Sequence, residues 1–275
     1  MKIRKYGAID IGSNAVRLLV SNVIDYNGQV FFQKNALVRV PIRLGQDAFT
    51  KGEISKKNIG RIIKSMKAFR LLMKVHGVED YLAFATSALR GAKNCSQVIE
   101  RVFNKSKIQI EIIDGKKEAK IISNSNVFEN IDIEKTFLFI DVGGGSTEIS
   151  ILKGGKRLNS NSFKIGTVRL LNKGFDQRIW NQLEIWVKKH TKIYSKVYLL
   201  GTGGNINKLH KISNVKDNRP ITFLTLNLIY NKLNELTYEE RIIELGLNPD
   251  RSDVIIPATK LFLKIFEWSG AKVIY

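Results

Sequence analysis

The sequence has one cysteine, three histidines and no long apolar run. Cys95 alone excludes an internal disulfide and a thiolate zinc site, and His76, His190 and His210 show no ligand spacing. No apolar run approaches the roughly 18 residues that a membrane span needs. The N-terminus enters a polar glycine turn where a secretory signal peptide would continue its apolar segment. These features disfavour a zinc enzyme and a membrane partner, and they predict a cytoplasmic protein.

Charge of one sign is abundant. The 275 residues carry a net charge of +20, and 44% of them are apolar, which suits one large domain or two smaller ones with real cores. Such a field attracts polyanions, among them nucleic acid, polyphosphate and nucleotides. A general bias toward lysine is the alternative explanation, so charge alone does not decide the function.

The sequence contains an internal repeat. The segments "AIDIGSNAVRLLV" (8–20) and "FIDVGGGSTEISIL" (139–152) share their order of apolar residues, aspartate and glycine, with Asp10 and Asp141 131 positions apart. Each predicts a strand, a glycine turn and a returning strand, and hairpin signals at Asn27-Gly28 and at 153–156 add a third strand. Both halves are therefore expected to begin with a β-meander.

Helical patterns follow each predicted meander. Residues 55–77 place apolar residues at spacings of three and four, with Ser55 as N-cap and Gly77 as stop. Residues 225–267 are expected to be largely helical with a break at Asn248-Pro249. The order is α/β in both halves, so we predict two domains, 1–124 and 125–275.

The two glycine turns are candidate phosphate sites, because glycines let several backbone N–H groups converge on an oxyanion. A plain hairpin remains the alternative for either turn alone. Arginines offer a planar guanidinium that can hold two phosphate oxygens. The candidate phosphate ligands are Gly12, Ser13, Asn14, Arg17, Arg90, Gly143, Gly144, Gly145, Ser146 and Thr147.

Seven ordered motifs connect the chain to a family. In the sequence they read "AIDIGSNAVRLLV", "FATSALRGAKN", "IDGKKEAK", "FIDVGGGSTEIS", "GTVRL", "GTGGNINKL" and "NPDRSDVIIPA". Together they resemble the exopolyphosphatase and guanosine pentaphosphate phosphohydrolase (Ppx/GppA) family in its short two-domain form. The resemblance implies the actin-like, sugar-kinase-like (ASKHA) fold, in which two ribonuclease-H-like domains face a phosphate-binding cleft. Members normally continue into a further segment, so the C-terminal domain is expected to lack it.

The resemblance also assigns roles. Glu118 matches the glutamate that activates water, although the acidic residue expected before it is replaced by Lys117; an ordinary acid at a helix start is the alternative. Asp10, Asp141 and Glu148 are expected to hold Mg²⁺, with turn-capping aspartates and a cross-strand salt bridge of Glu148 as alternatives. Thr86 and Asn94 are expected to shape their loop, and Arg169 to be structural at a helix start. The turn with Gly201, Gly203 and Gly204 could shape the cleft or take a nucleotide.

The predicted function is that of a Mg²⁺-dependent phosphohydrolase. It would release terminal phosphate from polyphosphate, or the 5′-phosphate of guanosine pentaphosphate, by in-line attack of water. The alternatives are a small-molecule kinase of the same fold and a non-catalytic polyphosphate or nucleotide-binding module. No specific nucleic-acid partner is expected, and a homodimer stays open.

Overall fold

The chain divides into two compact units, unit 1 (Met1–Asp114) and unit 2 (Gly115–Tyr275). The structure, a computed structural model, describes residues 1–115, 117, 118, 121, 132–174, 176–216 and 219–275. The predicted boundary between residues 124 and 125 lies outside these residues and stays a prediction. No helix in the described part of the chain has the length and apolar character needed to cross a membrane.

Unit 1 is built on a five-stranded sheet in the order β3-β2-β1-β4-β5. β1 pairs with β2 and β2 with β3 in antiparallel fashion, whereas β4 is parallel to β1 and β5 to β4. The hairpin between β2 and β3 turns at Asn27 and Gly28, both with positive φ (53° and 78°), as an Asn-Gly turn requires. The strands are β1 (Lys2–Ile11), β2 (Val16–Tyr26), β3 (Gln29–Val40), β4 (Asp80–Ala85) and β5 (Glu111–Ile112).

Four helices accompany this sheet: α1 (Leu44–Thr50), α2 (Lys56–His76), α3 (Ser87–Arg90) and α4 (Cys95–Ser106). The predicted long helix is confirmed as α2, whose N-cap Ser55 accepts from the Asn58 backbone N–H and whose C-cap Gly77 has φ 68°. Its buried face follows the apolar spacing of the sequence and consists of Ile59, Ile62, Ser65, Met66, Phe69 and Met73.

A carboxylate ties α1 to the start of α2. Asp47 Oδ2 accepts from the Ser55 backbone N–H (2.9 Å), from Asn58 Nδ2 (2.8 Å) and from the Ser55 hydroxyl. Burial alone would raise the pKa of Asp47, but these hydrogen bonds outweigh it and hold the pKa below its usual value. The charged form of Asp47 therefore stabilises the junction of the two helices.

Unit 2 has a six-stranded sheet in the order β10-β11-β9-β6-β7-β8. The strands are β6 (Phe137–Val142), β7 (Thr147–Lys153), β8 (Lys156–Phe163), β9 (Tyr198–Thr202), β10 (Ile221–Thr222) and β11 (Val273–Ile274). The labelled helices are α5 (Thr167–Lys173), α6 (Gln177–Thr191), α7 (Gly204–Ile212), α8 (Phe223–Glu235), α9 (Tyr238–Ile243), α10 (Pro249–Ser252) and α11 (Ile255–Ser269). The break expected at Asn248-Pro249 is confirmed, because α10 begins at Pro249.

The core of unit 2 is one buried cluster that joins α11 to the sheet and to other helices. α11 buries residues at spacings of three and four, including Ile255, Phe262 and Phe266. The same cluster contains strand residues such as Leu138 and Leu199.

The expected meander is confirmed in both units, and the correspondence extends to single positions. β6 pairs with β7 and β7 with β8 in antiparallel fashion, and β9 is parallel to β6. Asp10 pairs with Arg17 in unit 1, and Asp141 pairs with Glu148 in unit 2. The register shift falls between Val20 and Ser21 in one unit and between Ile151 and Leu152 in the other, again 131 positions apart.

Candidate active site

The glycine turn of unit 1 joins β1 to β2. Its Gly12 backbone N–H donates to Ala15 O (3.1 Å), and Ser13 O accepts from the Gly45 backbone N–H (2.8 Å). The buried hydroxyls of Ser13 and Ser87 lie 3.0 Å apart and share a hydrogen bond. Ser87, at the start of α3, was not among the predicted site residues, because only the fold brings it to this turn.

Asp10 and Arg17 form an ion pair directly across the first two strands. Arg17 Nη1 lies 3.3 Å from Asp10 Oδ2, and the two side chains are 43% and 47% exposed. Although nearly half of the Asp10 side chain is exposed, desolvation by the surrounding protein raises the pKa of its carboxyl above the usual value, and the positive charge of Arg17 lowers it in part. The guanidinium has five N–H groups, so donors remain for an anion while the pair is formed.

Arg90 and Asn94 stabilise the backbone around α3. Arg90 Nη1 donates to Ile113 O, just after β5. Asn94 accepts from the Ile54 backbone N–H (2.9 Å) and donates to Ile54 O (2.8 Å), which is the loop-shaping contact that its motif led us to expect. Arg90 therefore combines a structural hydrogen bond with the guanidinium that we predict to bind phosphate.

The glycine turn of unit 2 has the same internal hydrogen bond as its counterpart. The Gly143 backbone N–H donates to Ser146 O (3.0 Å). The fully buried Thr147 hydroxyl donates to Ile165 O (2.7 Å). Its proton is thus already used inside unit 2, and its remaining lone pairs would repel an oxyanion. In this arrangement the hydroxyl does not donate to phosphate, and a role of Thr147 in phosphate binding stays a prediction.

The carbonyl groups of this turn are held by the N-terminus of α5. Gly143 O accepts from the Thr167 N–H (3.0 Å) and Gly144 O from the Val168 N–H (2.8 Å). Gly145 O accepts from Arg169 Nε (2.9 Å). In a planar trans peptide the C=O and the next N–H point in opposite directions. The N–H groups of residues 144–146 are therefore turned away from α5, as a phosphate cradle requires.

Gly166 is the residue that permits this arrangement. A Cβ at position 166 would lie 2.6 Å from the carbonyl carbon of Gly144 and from the nitrogens of Gly145 and Ser146. No side chain fits at that distance from a backbone. Gly166 belongs to the motif "GTVRL" but is not one of the predicted site residues. Arg169, predicted to be structural, contacts the same turn.

Two carboxylates lie side by side at the carboxyl end of β6. Asp141 and Glu148 are direct cross-strand partners, so their side chains leave the same face of the sheet. Glu148 is buried, and its Oε1 accepts from the Ser162 hydroxyl (2.9 Å). Asp141 Oδ1 lies 3.1 Å from the position that a Cβ on Gly203 would occupy. Gly203 therefore packs closely against the carboxylate.

The segment that carries Glu118 begins beside these acids. Residues 115, 117, 118 and 121 are helical, and a Cβ at Gly115 would lie 2.7 Å from Ser162 Oγ and 3.9 Å from Glu148 Oε1. Glu118 Oε2 is shielded from solvent, whereas Lys117 is exposed. Adjacent helix residues point in different directions, so the unexpected Lys117 does not share the surroundings of Glu118.

The turn after β9 leads into α7, as the sequence predicted. Arg251 from α10 lies on this turn and donates through Nη1 to Gly204 O (3.2 Å). A Cβ at Gly201 would lie 2.8 Å from Ile206, so this glycine serves the packing of α7 on its strand. Whether Gly201, Gly203 and Gly204 also contact a nucleotide stays a prediction.

Comparison with known proteins identifies the family. The sequence pattern of the Ppx/GppA phosphatase family matches residues 23–269. The chain belongs to this family.

Among Ppx/GppA relatives, the bifunctional 3-dehydroquinate synthase/phosphatase of Fusobacterium nucleatum is 30% identical over 96% of this chain and 43% of its own length. A putative exopolyphosphatase of Haemophilus influenzae is 24% identical over 96% of the chain and 85% of its own. The guanosine-5′-triphosphate,3′-diphosphate pyrophosphatase of Photobacterium profundum is 25% identical, with 95% and 54% covered. The chain thus spans about half or less of two of these relatives.

Solved structures agree on the fold. An exopolyphosphatase from Cytophaga hutchinsonii superposes with a TM-score of 0.87 at 23% identity, covering 98% of this chain and 93% of the other. The Aquifex aeolicus Ppx/GppA protein gives a TM-score of 0.75 at 25% identity, covering 99% and 94%. The predicted fold class, two ribonuclease-H-like units of the actin-like fold, is confirmed.

Proposed function

We propose that this protein is a phosphohydrolase that releases terminal phosphate from chains of phosphoanhydride-linked phosphates. The substrates we propose are inorganic polyphosphate and guanosine pentaphosphate, losing its 5′-phosphate, in line with the names of the Haemophilus and Photobacterium relatives. One observation supports this most directly. The carbonyls of the unit 2 glycine turn are bound to α5, which directs three successive N–H groups away from α5, ready for an oxyanion.

Glu118 is the proposed general base. A water molecule held by its carboxylate would lose a proton to it while the water oxygen attacks the terminal phosphorus and the bond to the leaving phosphate breaks. The solvent-shielded Oε2 and the placement of Gly115 beside Glu148 and Ser162 support a base within the acidic part of unit 2.

Mg²⁺ is the proposed cofactor, and the residues of unit 2 fit it. Mg²⁺ is usually held by one or two carboxylates together with waters and substrate phosphates. Within the described ranges no group of three or more His, Cys, Asp or Glu side chains forms a protein-only cage, and Mg²⁺ does not require one. Asp141 and Glu148 would hold the ion, which would neutralise charge on the phosphate oxygens. Asp10 is the weaker candidate, because Arg17 already balances its charge.

Unit 1 supplies the second proposed set of phosphate ligands. Asn14, Arg17 and Arg90 offer amide and guanidinium donors, and the Ser13 hydroxyl is shared with Ser87. The Gly12 N–H already donates to Ala15 O, so the proposed part of Gly12 is to shape the turn. The net charge of +20 favours polyphosphate over a nucleotide as the main substrate, because the longer polyanion gains more from a positive field.

The decisive experiment measures phosphate release with Mg²⁺ from long-chain polyphosphate and from guanosine pentaphosphate. We expect Glu118→Gln to lower the rate by about 10²–10⁴-fold, the usual contribution of a general base. The matched control is Glu100→Gln on the exposed side of α4, which should stay within about twofold. An equal loss in both variants would exclude the assigned role of Glu118.

Binding of substrate without phosphate release by the wild-type protein would exclude hydrolysis, and transfer of phosphate to an added acceptor would identify a kinase.

A further inference from the structure

A basic pocket lies at the end of the unit 2 sheet away from the glycine turn. It has a volume of about 350 Å³ and is lined by residues 134–136, 153, 193–196 and 198. These residues precede β6, precede or begin β9 and end β7, whereas the turn of residues 143–146 follows the carboxyl end of β6. Six residues of strand separate the two places, which corresponds to roughly 20 Å.

Three lysine ammonium groups in the pocket make cation–π contacts with two tyrosine rings. Lys135 Nζ and Lys196 Nζ lie 5.3 Å and 5.1 Å from the centre of the Tyr198 ring. Lys153 Nζ lies 5.2 Å from the centre of the Tyr194 ring. Cation–π attraction holds each lysine head near its ring and reduces the rotamer entropy that a ligand would otherwise have to restrict. The positive charges are therefore partly positioned in advance.

Among the described residues, the acidic groups near the pocket leave a net positive charge. Asp132 binds Lys135 (2.9 Å), and Glu134 is the one carboxylate among the described lining residues. Lys153 and Lys196 both line the pocket and are exposed. These two lysines are the groups best placed to meet an anion, and Lys135 could exchange its carboxylate for it.

Tyr198, which lines the pocket, is anchored in the sheet. The rings of Tyr198 and Phe137 lie 5.8 Å apart, and Tyr198 packs on the buried cluster of Phe137, Phe139 and Leu152. Tyr198 also belongs to β9, so the surface that carries two of the ammonium groups is part of the sheet itself.

We propose that this pocket binds a linear chain of phosphates at a second site, remote from the glycine turn. Ammonium groups already cover the tyrosine rings, so a ligand meets positive charge there and not a bare aromatic face. Such a surface suits phosphate oxygens better than a nucleobase, which would stack on a ring. The identity of the chain as substrate rests on the proposed function. A long polyphosphate held at both places would gain affinity by effective concentration, whereas a short one occupies one place at a time.

The test locates the ligand without using activity. Wild type and Glu118→Gln are treated with an amine-reactive acetylating reagent, with and without inorganic tripolyphosphate. Mass spectrometry then measures how far each lysine has been acetylated. We expect Lys153 and Lys196 to be protected in both proteins, while inorganic phosphate at the same concentration protects neither. Absence of protection by tripolyphosphate would overturn the site, and protection by GTP alone would assign it to nucleotides instead.

A charge-matched pair of variants then tests the contribution to long chains. We expect Lys153→Gln/Lys196→Gln to bind long-chain polyphosphate about tenfold more weakly, as two exposed ion pairs would give. The control, Lys64→Gln/Lys67→Gln, removes two exposed charges from α2 in unit 1. An equal weakening in the control would mean that only net charge matters and would overturn the proposal. If wild type releases no phosphate but both lysines are protected, the proposed function fails and the site stands.

Discussion

The two glycine turns have the same backbone arrangement, but the side chains next to them differ in charge. In each unit an aspartate precedes the turn and a cross-strand residue stands opposite, but that residue is Arg17 in unit 1 and Glu148 in unit 2. The first aspartate is balanced by a guanidinium 3.3 Å away, whereas the second shares its strand pair with another acid. The same strand–turn–strand geometry thus carries a balanced ion pair in one unit and two neighbouring acids in the other, and it is the second pair that we propose to hold Mg²⁺.

Among variants that compare the two turns, the largest effect should come from displacing the backbone of the unit 2 turn. In Gly166→Ala the new methyl group would meet three backbone atoms at 2.6 Å, so the turn must move. We expect phosphate release to fall by about 10²-fold, as a displacement near 1 Å produces in catalysis. We expect the free energy of unfolding to drop by about 1–3 kcal/mol, as overpacking does.

The matched control is Gly60→Ala in α2, where a Cβ meets nothing within 4 Å. Glycine is a poor helix former, so this variant should be more stable by about 0.5–1 kcal/mol. Phosphate release and urea unfolding, measured for both variants, test these two expectations. An active Gly166→Ala protein would show that the turn does not need its present shape.

A metal titration would sharpen the difference between the two acid pairs. Glu148→Gln keeps an acceptor for the Ser162 hydroxyl but removes a charge beside Asp141. We expect it to weaken Mg²⁺ binding, measured by calorimetry with the metal alone, on the order of tenfold.

The comparison variant for that titration is Asp10→Asn. Since Arg17 already balances Asp10, its loss should leave Mg²⁺ affinity nearly unchanged. If Asp10→Asn weakened binding as much as Glu148→Gln, the assignment of the metal to unit 2 would be wrong.

The smallest expected effect concerns how each turn is supported. The unit 1 turn contacts the start of α1, and α1 is held to α2 by the charged Asp47. A carboxyl whose pKa is lower in the folded state stabilises above its unfolded pKa of about 3.9 and loses that contribution as the pH falls through the folded value. Asp47→Asn should therefore be less stable at pH 7 by about 1 kcal/mol, and the difference should shrink toward pH 3.

Urea unfolding of wild type, Asp47→Asn and the exposed control Asp25→Asn across this pH range measures the effect. A difference between wild type and Asp47→Asn that persists unchanged at pH 3 would show that the carboxylate charge is not responsible.

Most of the fold could be predicted from the sequence, because local chemistry specifies it. The Asn27-Gly28 pair and the glycines near 154 fix the hairpins, and Ser55 and Gly77 mark the ends of α2. The pairing of these strands then follows from their order in the chain.

The supporting contacts of the site could not be predicted in the same way. Ser162 meets Glu148 only because β8 lies beside β7 in one register, and Ser87 meets Ser13 across 74 positions of the chain. The role of Gly166 depends on how closely α5 approaches the turn, which no local pattern encodes. Long-range packing decides these contacts, so sequence periodicity carries no signal for them.

Because equivalent positions in the two meanders are 131 residues apart, each position in one meander can be compared directly with its counterpart in the other. Asp10 and Asp141, Gly12 and Gly143, and Arg17 and Glu148 occupy equivalent places, and the register shift in each meander recurs at the same point. A difference in chemistry between two such positions cannot be attributed to different strands or registers. Exchanging side chains between counterparts within one polypeptide would therefore separate what the shared backbone dictates from what each residue adds.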